Sequence, residues 1–128
     1  MLHNMTKNSK QSIVTPNIVL ILADSLRARN VSCYGYKNVT TPNLDRLAKH
    51  GLKFDNYFVQ APFTVASTAC LLTGTYASLH RLERYGQRLS DSLATLPELL
   101  REGGYFTAGF VANPHVNHNS GLTRGFSY

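Results

Sequence analysis

Apolar residues form three runs along the chain, separated by segments of more mixed character. The first run, residues 17–23, is short, almost entirely aliphatic, and bounded by Pro16 and Asp24. An unbroken run of this length is typical of a parallel strand that is buried on both faces. Two later runs, residues 52–59 and 105–112, have the same strand-like character. The pattern therefore predicts three strands.

Capping residues predict three helices between and after these strands. Thr41 and the proline that follows it suit a helix start, because the hydroxyl can accept a backbone N–H bond and proline fits the first turn. Gly51 then ends that helix. A second helix is predicted to begin near Thr64 and to end at Gly74. A third follows residues 95–98, Thr-Leu-Pro-Glu, which form a capping box.

The alternation of strands and helices predicts an α/β fold, with a mostly parallel sheet flanked by helices. Three strands make a narrow sheet, and a buried parallel strand needs a neighbour on each side. We therefore expect more protein to follow residue 128. Residues 1–15 are polar and are predicted to form a flexible tail, which leaves residues 16–128 as the N-terminal part of one domain.

Charge and composition exclude several classes of protein. The net charge is +6, but the basic residues are scattered and form no run interleaved with aromatic residues, so nucleic acid is not an expected partner. The longest apolar run is too short to cross a bilayer, and residues 1–15 lack the apolar centre of a signal peptide. Cys33 and Cys70 are too few for a disulfide framework. We expect a cytoplasmic protein with no membrane partner.

Asp24 and Thr64 are the residues whose positions point to chemistry. Asp24 ends a predicted strand, where ligands bind in open α/β sheets, and it could hold a hard cation or cap the next turn. Thr64 begins a predicted helix, where free N–H groups can bind an anion. A metal ion could make its hydroxyl a nucleophile, or Thr64 could be an ordinary N-cap. His115 and His118 could approach a metal or an anion, or lie solvated in a loop.

Several ordered segments match one pattern. Residues 16–24 look like an opening strand with a metal-binding aspartate, and residues 33–36, Cys-Tyr-Gly-Tyr, lead into the helix at 41–48. Residues 61–74 look like a nucleophile loop and its helix, and residues 96–107 like the helix and strand that come after. In order and content, these segments resemble the sulfatase family of the alkaline phosphatase superfamily.

The nucleophile loop departs from the family pattern. The usual loop reads Cys-x-Pro-Ser-Arg, and its cysteine matures to formylglycine. Here Thr64 occupies the Cys position, Ser67 the Ser and Thr68 the Arg. Threonine cannot become formylglycine, so none is expected, and a Thr nucleophile is similar to relatives that cleave or transfer phosphate esters. Ser25 stands in place of a second strand-end aspartate, and His80 matches a His that follows the Thr-Gly segment.

The resemblance implies an alkaline-phosphatase-like fold and a hydrolase of sulfate or phosphate esters that depends on Ca²⁺, Mg²⁺ or Mn²⁺. Thr64 would be the nucleophile, and Asp24, Ser25 and Thr64 would be metal ligands. Ser67 and His80 are candidates for binding the substrate, a small-molecule or saccharide ester. The remaining ligands would lie in a C-terminal half. The alternative is a non-catalytic binding or structural domain, or an inactive truncated product, that retains the fold.

Overall fold

The computed structural model describes residues 15–128, and helices are the regular elements of that range. Two 3₁₀ turns come first, Ala28–Asn30 and Ser32–Tyr34. Four α-helices follow: α1 (Pro42–His50), α2 (Thr64–Thr73), α3 (Ala77–His80) and α4 (Leu96–Glu102). The longest, α2, has 10 residues, and none of the described helices is long and apolar enough to span a membrane. The predicted tail, apart from Thr15, lies outside the described residues.

The prediction of an α/β fold with a mostly parallel sheet is wrong, because no strand is present in residues 15–128. A strand exists only through backbone hydrogen bonds to a neighbouring strand. The first predicted strand has no such neighbour: Val19 and Ile21 are each 81% exposed. The second predicted strand is open as well, with Leu52 at 89% exposed. The third predicted strand does have backbone hydrogen bonds to the end of the chain, from Ser127 N–H to the Thr107 carbonyl and from Gly109 N–H to the Tyr128 carbonyl, each at 2.8 Å, but they are too few to form a strand. The sequence pattern indicates a preference for extended backbone, but it does not show whether a second strand lies close enough to pair with it.

The three predicted helices are confirmed, with local signals that act much as expected. Pro42 is the first residue of α1 and Gly51 follows its last. Gly74 ends α2 in the left-handed conformation, φ +65°, and its N–H donates to the Cys70 carbonyl at 2.9 Å. Before α4 the Thr95 N–H donates to Glu98 Oε2 at 2.8 Å, as a capping box requires.

The hydrophobic core surrounds α2. Three residues of this helix, Val65, Ala69 and Leu72, pack with three leucines from irregular segments, Leu82, Leu89 and Leu122. The apolar residues of the other helices are less buried, since Leu47 of α1 is 64% exposed and Leu99 of α4 is 53% exposed. The small side chains of α2 allow the loop leucines to approach its backbone, so the core forms around α2 and the loops.

Hydrogen bonds from Arg124 connect the last segment of the chain to the loop that precedes α4. Its guanidinium donates to Asp91 Oδ1 at 2.9 Å and to the Leu93 carbonyl. The hydrogen bond from Arg124 holds the pKa of the Asp91 carboxyl below its usual value. The Thr95 hydroxyl donates to the Arg124 carbonyl at 3.1 Å. These contacts join residues about 30 positions apart into one unit.

Candidate active site

Three distant parts of the chain meet at the Asp24 carboxylate. Asp24 Oδ2 accepts hydrogen bonds from the Thr64 hydroxyl at 3.4 Å and from the Asn113 amide at 2.9 Å. The Ser25 hydroxyl lies 3.4 Å from Asp24 Oδ1. Thr64 is 40 residues away in sequence and Asn113 is 89 residues away. The fold thus builds a polar cluster on the residue that the sequence singled out.

The backbone at Asp24 turns sharply to present the carboxylate. Ser25 has φ +60°, a left-handed conformation that costs a non-glycine residue about 1 kcal/mol or more. Among residues 15–128, the donors to the Asp24 carboxylate are side chains, and no backbone N–H bonds to it. Capping of the following turn, the alternative role for Asp24, is therefore not the arrangement that the structure adopts.

Thr64 is the first residue of α2 and does not act as its cap. The N-cap position belongs to Phe63, whose carbonyl accepts the Ser67 N–H at 3.0 Å. The Thr64 hydroxyl is therefore free to donate to Asp24, which excludes the N-cap alternative. It also lies at the positive end of the helix dipole, where developing negative charge is stabilised.

Ser67 and Thr68 follow Thr64 within the next turn of α2. Ser67 lies three residues after Thr64 and so shares its face of the helix, where it is half-buried. Thr68 is 5% exposed, and its hydroxyl has no hydrogen-bond partner among the described residues. A substrate contact from Ser67 stays a prediction, and its position beside Thr64 is compatible with that role.

His80 packs against α2, the helix around which the hydrophobic core forms. Its Nδ1 accepts the Leu82 N–H at 3.0 Å, so the ring proton sits on Nε2, which lies 3.2 Å from Cys70 Sγ. Burial lowers the pKa of His80 and raises the pKa of the Cys70 thiol. Both shifts favour the uncharged forms, an imidazole and a thiol. Both ring nitrogens have partners, and a contact between His80 and substrate stays a prediction.

Comparison with known proteins decides the family. The family model for sulfatases matches residues 16–128 of the 128 in the chain. This protein belongs to the sulfatase family. The match begins at the segment that leads to Asp24, so all four members of the polar cluster, Asp24, Ser25, Thr64 and Asn113, lie within the matched range.

Curated sulfatases are similar over most of this chain. Arylsulfatase A from Homo sapiens is 51% identical over 109 residues, which cover 79% of this chain and 21% of that protein. Iduronate 2-sulfatase from Mus musculus is 37% identical over 108 residues, covering 80% and 19%. N-acetylglucosamine-6-O-sulfatase from Bacteroides thetaiotaomicron is 33% identical over 99 residues, covering 77% and 18%. The chain thus spans about a fifth of the length of these relatives. No solved structure gave a significant match.

The donor atoms of the cluster fit one side of a cation site. Asp24, Ser25 and Thr64 offer oxygen atoms, the donors that hard divalent cations prefer. Within residues 15–128, however, no group of three His, Cys, Asp or Glu residues is placed to hold a metal ion. A Ca²⁺ ion takes about six to eight oxygen ligands and favours several carboxylates. The described residues therefore offer one carboxylate, Asp24, to a cation at this position.

Asn113 is the member of the cluster that sequence reasoning missed. Its Oδ1 accepts the His115 N–H at 2.9 Å, which directs its amide nitrogen towards Asp24. A signal was present: Asn113 directly follows the apolar run at 105–112, just as Asp24 follows the run at 17–23.

Proposed function

We propose that this chain carries the nucleophile of a metal-dependent sulfate ester hydrolase, and that Thr64 is that nucleophile. The observation behind the proposal is the hydrogen bond from the Thr64 hydroxyl to Asp24, made at the first turn of α2. The hydroxyl has no capping role that would compete with catalysis. The helix start supplies N–H groups and a positive field where the sulfate oxygens would lie.

The proposed reaction has two steps. The Thr64 oxygen attacks sulfur, an O–S bond forms, and the bond from sulfur to the ester oxygen breaks with its electron pair on the leaving alcohol. The hydroxyl proton passes to Asp24, its hydrogen-bond acceptor, and from there to the departing alkoxide. Water then attacks the sulfur of the sulfo-threonine, the bond to Thr64 breaks, inorganic sulfate leaves, and Thr64 regains a proton from that water.

Asp24, Ser25 and Thr64 would hold the divalent cation in this proposal, together with ligands beyond the described residues. When bound, the cation supplies positive charge that stabilises a threonine alkoxide and the oxygens of the transferring group. Asn113 would keep the Asp24 carboxylate oriented through the hydrogen bond between them. Ser67, one turn along α2, would contact the sulfate group of the substrate. His80 is the second candidate for such a contact.

The substrate class follows from the relatives' names and from the nucleophile. Two of the similar proteins are named for sulfated N-acetylglucosamine and iduronate, and another is a steryl-sulfatase. We infer a small-molecule or saccharide sulfate ester as substrate, with the phosphate ester as the rival that a Thr nucleophile brings. A cytoplasmic location belongs to the same proposal, since both cysteines are free thiols, as a reducing compartment leaves them.

A second candidate is a domain of the sulfatase fold family that binds a partner without catalysis. One observation favours it: Asp24 is the sole carboxylate of the cluster among the described residues. A site with one carboxylate has too little negative charge to bind a divalent cation tightly. This candidate predicts neither cation binding nor turnover at Asp24.

A turnover assay on the full chain separates the two candidates. The chain is incubated with 4-nitrophenyl sulfate or phosphate and with Ca²⁺, Mg²⁺ or Mn²⁺ in turn. The Thr64→Ala variant should lose turnover, Thr64→Ser should retain a measurable part of it, and Thr68→Ala should serve as the matched control in the same helix. Turnover that survives in Thr64→Ala would contradict the nucleophile. Because further ligands would lie beyond the described residues, absence of turnover favours the binding domain only where calorimetry also shows no cation binding that is lost in Asp24→Ala.

A further inference from the structure

Three aromatic rings lie in contact beside the polar cluster. The Tyr85 ring stacks on the His115 ring with 4.1 Å between centroids and 33° between planes. The Phe63 ring also contacts Tyr85, edge-on, at 5.8 Å and 69°. We refer to Phe63, Tyr85 and His115 as the aromatic wall. The edge-on arrangement of Phe63 and Tyr85 is one that aromatic pairs prefer.

The aromatic wall and the polar cluster form one closed circuit of contacts. Phe63 directly precedes Thr64, and Thr64 donates to Asp24. Asn113 also donates to Asp24, and its own Oδ1 accepts the His115 N–H. Tyr85 closes the circuit by contacting both Phe63 and His115. The wall is therefore joined to the Thr64–Asp24 hydrogen bond at both ends, through the Phe63–Thr64 peptide bond and through Asn113.

Tyr85 is held rigidly at the tip of its loop. Leu82 and Leu89, each 1% exposed, anchor the loop in the core at both ends. Between them the Gln87 side chain accepts two backbone N–H groups, from Glu83 at 2.7 Å and from Arg84 at 2.8 Å. These bonds close a tight turn around Tyr85. A ring fixed in this way loses little entropy when a ligand stacks on it.

The anchoring extends to the other two rings. Phe63 packs against the hydrophobic core, and so does Val116, the residue after His115. Tyr85 nevertheless keeps 56% of its surface exposed. Its hydroxyl makes no hydrogen bond within residues 15–128, so no intramolecular polar contact explains its position. An exposed, prepositioned and apolar ring face at the rim of a polar site is a surface suited to the ring of a ligand.

We propose that Tyr85 determines substrate specificity by stacking on the planar or pyranose ring next to the scissile sulfate ester. The proposal rests on the proposed function for the place of that ester at Thr64. His115 covers one part of the Tyr85 ring and fixes its tilt, while the exposed part receives the ligand. The site then prefers a ring-bearing sulfate to a linear alkyl sulfate of the same charge.

Equilibrium binding tests this preference without turnover. The dissociation constants of 4-nitrophenyl sulfate and n-butyl sulfate are measured by ligand-observed NMR on the full chain in a Thr64→Ala background. Stacking of one ring contributes enough to predict an aryl preference of about 3- to 10-fold. Tyr85→Phe should keep this ratio. Tyr85→Leu, which keeps apolar bulk but has no flat face, should reduce it to near one.

Tyr76 provides the matched control, since it is also exposed, at 68%, and lies outside the aromatic wall. Tyr76→Leu should leave the aryl preference unchanged. Equal binding of both esters, failure of either to bind, or an unchanged ratio in Tyr85→Leu overturns the proposal. If the ratio depends on Tyr85 but the wild-type chain shows no turnover, this proposal is upheld and the result counts against the proposed function alone.

Discussion

Replacing Gly125 with alanine is expected to destabilise the chain far more than the same change at Gly104. Both glycines have nearly the same left-handed backbone, with φ +86° and +87°. They differ in their surroundings. A Cβ atom on Gly104 would meet nothing within 4 Å, whereas one on Gly125 would lie 2.6 Å from the Pro97 carbonyl carbon, 2.8 Å from Glu98 Cα and closer still to Glu98 N.

The expected loss of stability has two parts, the strain of a left-handed backbone and the steric overlap of the new Cβ atom. The left-handed conformation costs alanine about 1 to 2 kcal/mol at either site, and the entropy that alanine removes from the unfolded chain is the same for both. At Gly125 the opposing atoms belong to the backbone at the start of α4, so no side-chain rotation relieves the clash. Overpacking of this kind adds about 1 to 3 kcal/mol. Gly125→Ala should therefore lose about 2 kcal/mol more than Gly104→Ala.

Urea unfolding followed by far-UV circular dichroism measures the difference directly. The expected result is a lower midpoint for Gly125→Ala than for Gly104→Ala, with similar slopes. A small domain has about 5 to 15 kcal/mol of stability in total, so this difference shifts the midpoint clearly. Equal losses in the two variants would refute the packing of Gly125 against α4.

Three further predictions concern stability. Leu122→Ala, at a fully buried position, should lower the unfolding free energy by about 2 to 5 kcal/mol in urea titrations, whereas Leu52→Ala, at 89% exposure, should change it by less than about 0.5 kcal/mol. The hydrogen bond from Arg124 lowers the pKa of Asp91 from its ordinary 3.8. The Asp91 carboxylate therefore stabilises the fold above pH 3.8, and this contribution is lost as the pH falls through the lowered pKa. Asp91→Asn should flatten the acid limb of a plot of melting temperature against pH. Burial lowers the pKa of His80 from 6.5. Below pH 6.5 the unfolded chain therefore binds a proton at His80 more readily than the folded chain does, and stability should fall. His80→Asn keeps an acceptor in place of Nδ1 and should remove this loss of stability.

Each of these predictions has a clear contrary result. Similar losses for Leu122→Ala and Leu52→Ala would contradict the position of the core. An acid limb of the melting profile that Asp91→Asn leaves unchanged would remove Arg124 as the cause of the lowered pKa. Persistence of the loss below pH 6.5 in His80→Asn would assign that titration to another group.

The helices were predictable because their signals are local. Pro42 fixes a backbone angle that suits the first turn, Gly74 reaches a conformation that other residues avoid, and Thr95 with Glu98 satisfies donors within four residues. None of these effects depends on the rest of the chain. α3 was not predicted, since its four residues carry no comparable start signal.

The prediction of a sheet was wrong because strand pairing depends on distant parts of the chain. Residues 17–23 have a strand-like composition, but the backbone needs a partner at hydrogen-bonding distance and finds none in the described chain. The site was predictable in part. Asp24 and Thr64 were identified from their places at the end of a run and the start of a helix. Their hydrogen bond, and the addition of Asn113 from 89 residues away, required the tertiary structure.

The central claim is that Thr64 becomes sulfated during turnover, and mass spectrometry tests it most directly. The full chain is mixed with 4-nitrophenyl sulfate and a divalent cation, quenched during turnover and digested. We predict that the peptide containing Thr64 carries one added sulfo group, located on that residue, and that Thr64→Ala carries none. Turnover without sulfated Thr64, or a sulfo group on another residue, would contradict the account.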